Sequence, residues 1–165
     1  MQIRIYYEDT DCGGIVYHTN YIKYCERARS EVFFRVGELP SSGTCGFVVS
    51  ALEAKFLGFA RLGDVLWVQT QMRKLGRVQI LLRQRIYVLP TQTNRPQGLN
   101  DLPNLQNLAS PQPKDFGESL GQTLMQERCV FDVLVRMGYV DVATQNPAQI
   151  PQKFIDLLTL LPRDS

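Results

Sequence analysis

A single histidine and a single tryptophan in 165 residues leave few options for chemistry. With His18 as the one imidazole, a zinc site is not expected. The four cysteines (Cys12, Cys25, Cys45, Cys129) include no Cys-x-x-Cys pair, so no metal site and no disulfide framework is expected. That cysteine usage fits a reduced, cytoplasmic setting. No apolar run approaches the ~20 residues needed to cross a bilayer. Met1 opens directly into QIRIYY, without a charged segment followed by an apolar one, so neither an export signal nor an integral membrane protein is expected. Charge of one sign is also scarce: 18 basic against 16 acidic residues give +2, and the basic residues are scattered rather than gathered in a stripe. Nucleic acid is therefore not an expected partner. A hydrophobic fraction of 44% with a mean hydropathy of -0.15 describes an ordinary globular chain. Its length suits one domain spanning 1–165.

What is present is concentrated near the start. Met1 to Tyr7 alternates apolar and polar positions, with Ile3, Ile5 and Tyr7 on one face, which predicts a strand. Glu8, Asp9, Asp11, Gly13 and Gly14 then break it with turn residues. A helix is predicted from about Thr19, because Tyr21, Ile22, Cys25, Ala28, Val32, Phe33 and Val36 recur at three and four residues. Thr19 or Asn20 is the expected cap, Gly37 the stop, and Pro40 bars resumption. Lys23, Glu26, Arg27 and Arg29 fall off that apolar face and read as surface or ion-paired groups.

Phe47–Phe59, Asp64–Lys74 and Arg77–Leu89 are rich in β-branched and aromatic residues. They are separated by breaks at Leu62-Gly63 and Leu75-Gly76, and predict three neighbouring antiparallel strands. A further strand is predicted over about Thr123–Ala143, and a short helix opens at Pro151. Between them, residues 90–121 hold five of the nine prolines and read as an insertion within the domain. The pattern as a whole is α+β, a curved antiparallel sheet around one long helix.

The chemistry lies in the first stretch. Asp11 precedes His18 by seven residues across a glycine-containing turn. A carboxylate near an electrophilic carbonyl can attack it to form an anhydride, or can take a proton from water. Both routes create an oxyanion, and the first turn of a helix offers unpaired backbone N–H groups. The N–H near His18 is therefore the expected oxyanion donor, and the imidazole can orient water or substrate. Cys12 as a nucleophile is the lesser alternative. The basic group Arg73, Lys74 and Arg77 flanks a hairpin and could meet a phosphate.

The string YYEDTDCGGIVYHTNYIKYCERAR resembles the signature of the hotdog-fold acyl-CoA thioesterases. The resemblance is to the branch that contains 4-hydroxybenzoyl-CoA thioesterase and the YbgC-type enzymes of the bacterial Tol–Pal cluster. It rests on residues 7–11, Gly14, 16–18, Asn20-Tyr21 and 26–29, and continues through 47–49, 60–64 and 84–86. The resemblance implies a hotdog fold and hydrolysis of an acyl-CoA to free acid and CoA, with no cofactor beyond the coenzyme A of the substrate. It implies assembly as a homodimer or homotetramer, with sites at subunit boundaries. Asp11 matches the family's catalytic carboxylate, as nucleophile or general base. His18 matches the histidine of the YbgC-type enzymes, and its backbone N–H the oxyanion donor. Tyr17, Arg77 and Lys74 become substrate-binding candidates, although Gly76 and Val78 stand where the hydroxybenzoyl branch has basic residues. The alternative of another class is a binding module that docks acyl carrier protein or lipid-synthesis enzymes. A hydratase on the same fold is a third.

Overall fold

The structure is a computed structural model and describes residues 1–90 and 128–164. The expected insertion at 90–121 lies outside the described residues except for Pro90. In chain order the elements are β1 (Gln2–Arg4), a 3-10 turn (Tyr7–Asp9), α1 (His18–Phe34), β2 (Ser41–Ser42), β3 (Cys45–Phe56), β4 (Val65–Leu75), β5 (Gln79–Val88), β6 (Arg128–Asp141), β7 (Asn146–Pro147) and α2 (Gln152–Thr159). The strands form one antiparallel sheet in the order β1-β4-β5-β6-β3-β2, with β7 on the end of β6.

The sheet faces α1 with alternate side chains. Leu66, Val68 and Met72 of β4, Ile80, Leu82 and Ile86 of β5, and Val133 and Val135 of β6 are buried, while their neighbours turn outward. α1 meets them with Tyr21, Tyr24, Cys25 and Ala28, which join Ile5, Val16 and Phe131 in one cluster. Farther along, Phe33 packs against Phe154 and Leu158 of α2, with Met72, Ile80, Leu82 and Tyr139. Each large apolar side chain buried this way contributes roughly 1.5–3 kcal/mol. α1 ends where the sequence indicates. Gly37 takes φ +72 and donates to the Phe34 carbonyl, and the Glu38 amide closes on the Phe33 carbonyl.

Four sequence expectations are corrected. β1 stops at Arg4 and Tyr7 is 82% exposed, because the Asp9 carboxylate captures the Tyr6 amide and folds the chain into the 3-10 turn. The residue capping α1 is Tyr17, without a side-chain cap, while the Asn20 side chain reaches the Asp9 carbonyl instead. Arg29 is buried, not on the surface: its guanidinium donates to Gln84 Oε1 at 2.7 Å, and Gln84 Nε2 donates in turn to the Cys25 carbonyl and Thr70. Finally, β3 does not neighbour β4. It pairs along its whole length with β6, so residues 57–64 cross the end of the sheet instead of turning a hairpin. That crossover is pinned by bonds from Val16 N–H to the Ala60 carbonyl and from Ile5 N–H to the Asp64 carbonyl.

Candidate active site

The acidic turn is built from its own backbone. The Asp11 amide donates to the Ile15 carbonyl, Gly14 N–H returns to the Asp11 carbonyl, and Gly13 N–H donates to Asp11 Oδ1 at 2.8 Å. The two glycines serve the turn in different ways. A Cβ at Gly13 would stand 3.1 Å from Asp11 Oδ1, and Gly14 has φ +71. Bridges from Thr10 to Val16 and from Ile15 to Arg61 stitch the turn to the crossover.

The two carboxylates of this turn have different surroundings. Asp9 is fully engaged: Oδ1 accepts from the Tyr24 hydroxyl at 2.7 Å, Oδ2 accepts from the Tyr6 amide, and its carbonyl receives Asn20 and the Tyr17 amide. Burial, and then the adjacent Asp9, push the Tyr24 phenol well above its ordinary range. Asp11 is exposed and accepts the Gly13 amide alone among the described residues. Of the pair, only Asp11 has a carboxylate oxygen without a hydrogen-bond partner among the described residues.

Tyr17 and His18 form the mouth of α1. The Tyr17 amide is tied to the Asp9 carbonyl, so this mouth and the acidic turn share one rim. The His18 and Thr19 amides donate to no acceptor among the described residues, as expected at an uncapped helix start. The exposed His18 ring is held by aromatic contacts, 4.5 Å from Tyr17 and 6.4 Å from Phe56 between ring centroids. Behind it, Tyr21 stacks on Phe131 and its hydroxyl accepts the Ala60 amide. Phe56, on β3, was not singled out from the sequence. Its partners are distant in the chain, and no local pattern marks it.

Asp11, Tyr17 and His18 are thus brought together, whereas Lys74 and Arg77 are not. They flank the β4–β5 hairpin, and β4 begins beside β1 at the site end. Ten residues of extended strand separate the two ends by roughly 30 Å. Arg73 is engaged elsewhere, on Asp164 at 3.0 Å. A small apolar cleft between α1, the sheet and α2, about 20 Å³, is lined by Arg29, Phe33, Phe47, Leu82, Leu158 and their neighbours, and Asp11 is not among its lining residues. No group of three or more histidine, cysteine or acidic side chains among the described residues is placed to hold a metal ion. No helix among them is long and apolar enough to cross a membrane.

A sheet curled around one long helix, with an acidic turn on that helix's mouth, defines the hotdog thioesterase class. The family model of the thioesterase superfamily matches residues 13–93. In fold the chain is similar to a 1,4-dihydroxy-2-naphthoyl-CoA thioesterase from Synechocystis (TM-score 0.69, 13% identity, 98% of this chain and 95% of that one). It is similar in the same way to the PA5185 protein of Pseudomonas aeruginosa (TM-score 0.71, 13% identity, 99% and 91%). In sequence it is 37% identical over 161 residues to the acyl-CoA thioesterase YbgC of Helicobacter pylori, covering 98% of this chain and 100% of that protein. The YbgC of Haemophilus influenzae is 39% identical over 88 residues, covering 51% and 65%. The chain belongs to the thioesterase superfamily and, within it, to the YbgC acyl-CoA thioesterases. It is a thioester hydrolase.

Proposed function

We propose that this enzyme hydrolyses an acyl-CoA thioester to the free acid and CoA at the rim formed by Asp11 and the first turn of α1. The observation that carries this reading is one exposed carboxylate, held by a glycine amide, on the same rim as helix-start amides that have no acceptor among the described residues. The thioester carbonyl would accept from the His18 amide, a device worth about 3 kcal/mol of transition-state stabilisation. Asp11 then either attacks the carbonyl carbon, expelling CoA thiolate and leaving an anhydride that water opens, or takes a proton from the water that attacks. The proton ends on the departing thiolate in either case. Hydroxylamine trapping of an aspartyl anhydride would mark the first route.

The acyl pocket is read as forming between two copies of the chain. β3 is bound to β6 on one side, while β2 covers only Cys45 and Gly46 on the other. Along that edge, which pairs with no other strand among the described residues, Val48, Val49, Leu52 and Phe56 are exposed, an arrangement that invites pairing with a second β3. Antiparallel pairing about a two-fold axis would set the Phe56 end of one copy beside the Cys45 end of the other. Lys74 and Arg77 of the second copy would then lie nearer the rim than the chain's own do. Larger assemblies build on that pair.

The test is thiol release from a panel of acyl-CoAs by the wild-type protein and by D11N. Release by the wild type and loss in D11N is expected; equal rates would refute the assignment. Undiminished capture of acyl carrier protein or lipid-synthesis enzymes by an inactive D11N protein would favour the binding-module alternative.

A further inference from the structure

The crossover that passes the mouth of α1 carries a second constellation. Arg61 and Arg128 both lie on the ring of Phe59, with their guanidinium carbons 5.2 and 5.9 Å from its centroid. Arg128 is further held by a bond from Nη2 to the Phe59 carbonyl at 2.9 Å. Gly58 makes room for it, since a Cβ there would stand 2.9 Å from Arg128 Nη1. Arg61 is fixed through its backbone, whose amide donates to Asp64 Oδ2 at 2.8 Å. Among the described residues neither guanidinium is within ion-pair distance of a carboxylate. By contrast Arg73, Arg83 and Arg85 on the outer face all engage Asp132 or Asp164. Asp64, bound by the Arg61 amide, Asp11, and Asp9, whose carboxylate is taken up by Tyr24 and the Tyr6 amide, are acidic groups that the same backbone ladder brings to this end.

Two exposed cations gathered on one ring repel each other, and a bound anion relieves that repulsion. Their position says which anion. Ile15, whose carbonyl accepts the Asp11 amide, bridges to Arg61, so Arg61 stands two strand spacings, roughly 10 Å, from the Asp11 backbone. The guanidinium reaches outward from there. A thioester whose carbonyl sits at Asp11 carries its charge at the far end of the thiol arm, which is where such a pair is useful.

We infer that Arg61 and Arg128, clamped on Phe59, bind the phosphates of the nucleotide portion of the CoA substrate on the same chain that supplies Asp11. This rests on the thioesterase reading, and it transfers to Arg61 and Arg128 a task that the sequence had suggested for Lys74 and Arg77. It also gives the Phe59 ring a function: holding two like charges at a fixed spacing.

The experiment compares R61Q, R128Q and the double variant with K74Q/R77Q, all as full-length proteins. Two substrates with the same acyl group are used: the CoA thioester and the N-acetylcysteamine thioester, which lacks the nucleotide. Each arginine variant is expected to raise KM for the CoA thioester about 10-fold and to leave kinetics on the short thioester unchanged. Calorimetry with adenosine 3′,5′-bisphosphate should show a parallel loss of affinity, independent of turnover. Equal effects on both thioesters, or unchanged nucleotide affinity, would overturn the inference. So would loss confined to K74Q/R77Q. If the wild-type protein hydrolyses neither thioester, the functional reading fails, and the calorimetry alone then judges the nucleotide site.

Discussion

Removing each carboxylate of the acidic turn in isolation should separate folding from catalysis. Asp9 Oδ1 satisfies the hydroxyl of Tyr24, a side chain only 1% exposed, and Oδ2 satisfies the Tyr6 amide. D9A leaves a buried phenolic O–H without its partner, which costs about 1–3 kcal/mol, and removes a charge-assisted bond as well. A total near 3 kcal/mol is expected, corresponding to a fall of roughly 6–12 °C in Tm for a chain of this size. D11N should behave in the opposite way. The asparagine side-chain oxygen can still accept the Gly13 amide, so stability should stay within about 0.5 kcal/mol of wild type. Thiol release should fall about 10²–10⁴-fold, the range lost with a general base. Y24F is the internal control. Combined with D9A it should cost less than the two single changes added, because both remove the same bond. Scanning calorimetry and a thiol assay suffice. The reasoning fails if D9A abolishes activity at unchanged Tm while D11N keeps turning over, since the roles would then be exchanged.

Other consequences follow from the same contacts. Q84L should destabilise by about 3 kcal/mol, because it strips the acceptor from the buried Arg29 guanidinium. Adding R29M should restore much of that loss, which chemical denaturation would read. The bidentate Arg83 pair, at 3.0 and 2.6 Å, holds the Asp132 carboxyl below its usual range. Its stabilisation is therefore present above the ordinary carboxylate pKa of ~3.9 and is lost as pH falls through the lower native value. D132N should accordingly melt below wild type at pH 7 and converge with it under more acidic conditions. L52K places a charge on the exposed edge of β3 and should shift sedimentation toward monomer, with loss of thiol release.

Legibility from sequence tracked locality. The acidic turn and α1 could be read because the groups that make them are neighbours in the chain: Asp11 with Gly13 and Gly14, and apolar residues every third or fourth position from Tyr21 to Phe33. Asp9 ended β1 early because a side chain three residues on outbid the sheet for the Tyr6 amide, a competition that alternation does not register. Arg29 read as surface because its partner Gln84 lies 55 residues away. The placing of β3 failed for a similar reason. Its partner β6 begins at Arg128, beyond the proline-rich stretch, whereas a local pattern points only to the strands nearest in the chain. The same ladder explains the hairpin cations: Lys74 and Arg77 look relevant as a basic cluster beside a hairpin and through the family resemblance, yet β4 carries them to the opposite end of the sheet from the acidic turn.

The start of α1 offers a last, sharper test, because it forgoes stability that substitution could recover. Tyr17 occupies the capping position with extended backbone angles, φ -61 and ψ 132, and contributes no side-chain acceptor. Serine there would accept from the Thr19 or Asn20 amide, and such a cap is worth about 1 kcal/mol over alanine. Y17S should therefore melt above Y17A. Both variants lose the ring that packs 4.5 Å from His18, so that loss cancels in the comparison. If the His18 amide receives the thioester oxyanion, the added hydroxyl, bonded to the neighbouring Thr19 amide, crowds the place where that oxyanion would sit. Y17S should then have the lower kcat of the two despite its greater stability, the trade-off expected where a fold leaves donors unsatisfied for chemistry. A serine variant both more stable and no slower than the alanine variant would mean that the oxyanion is held elsewhere, and the His18 amide would lose its assigned role.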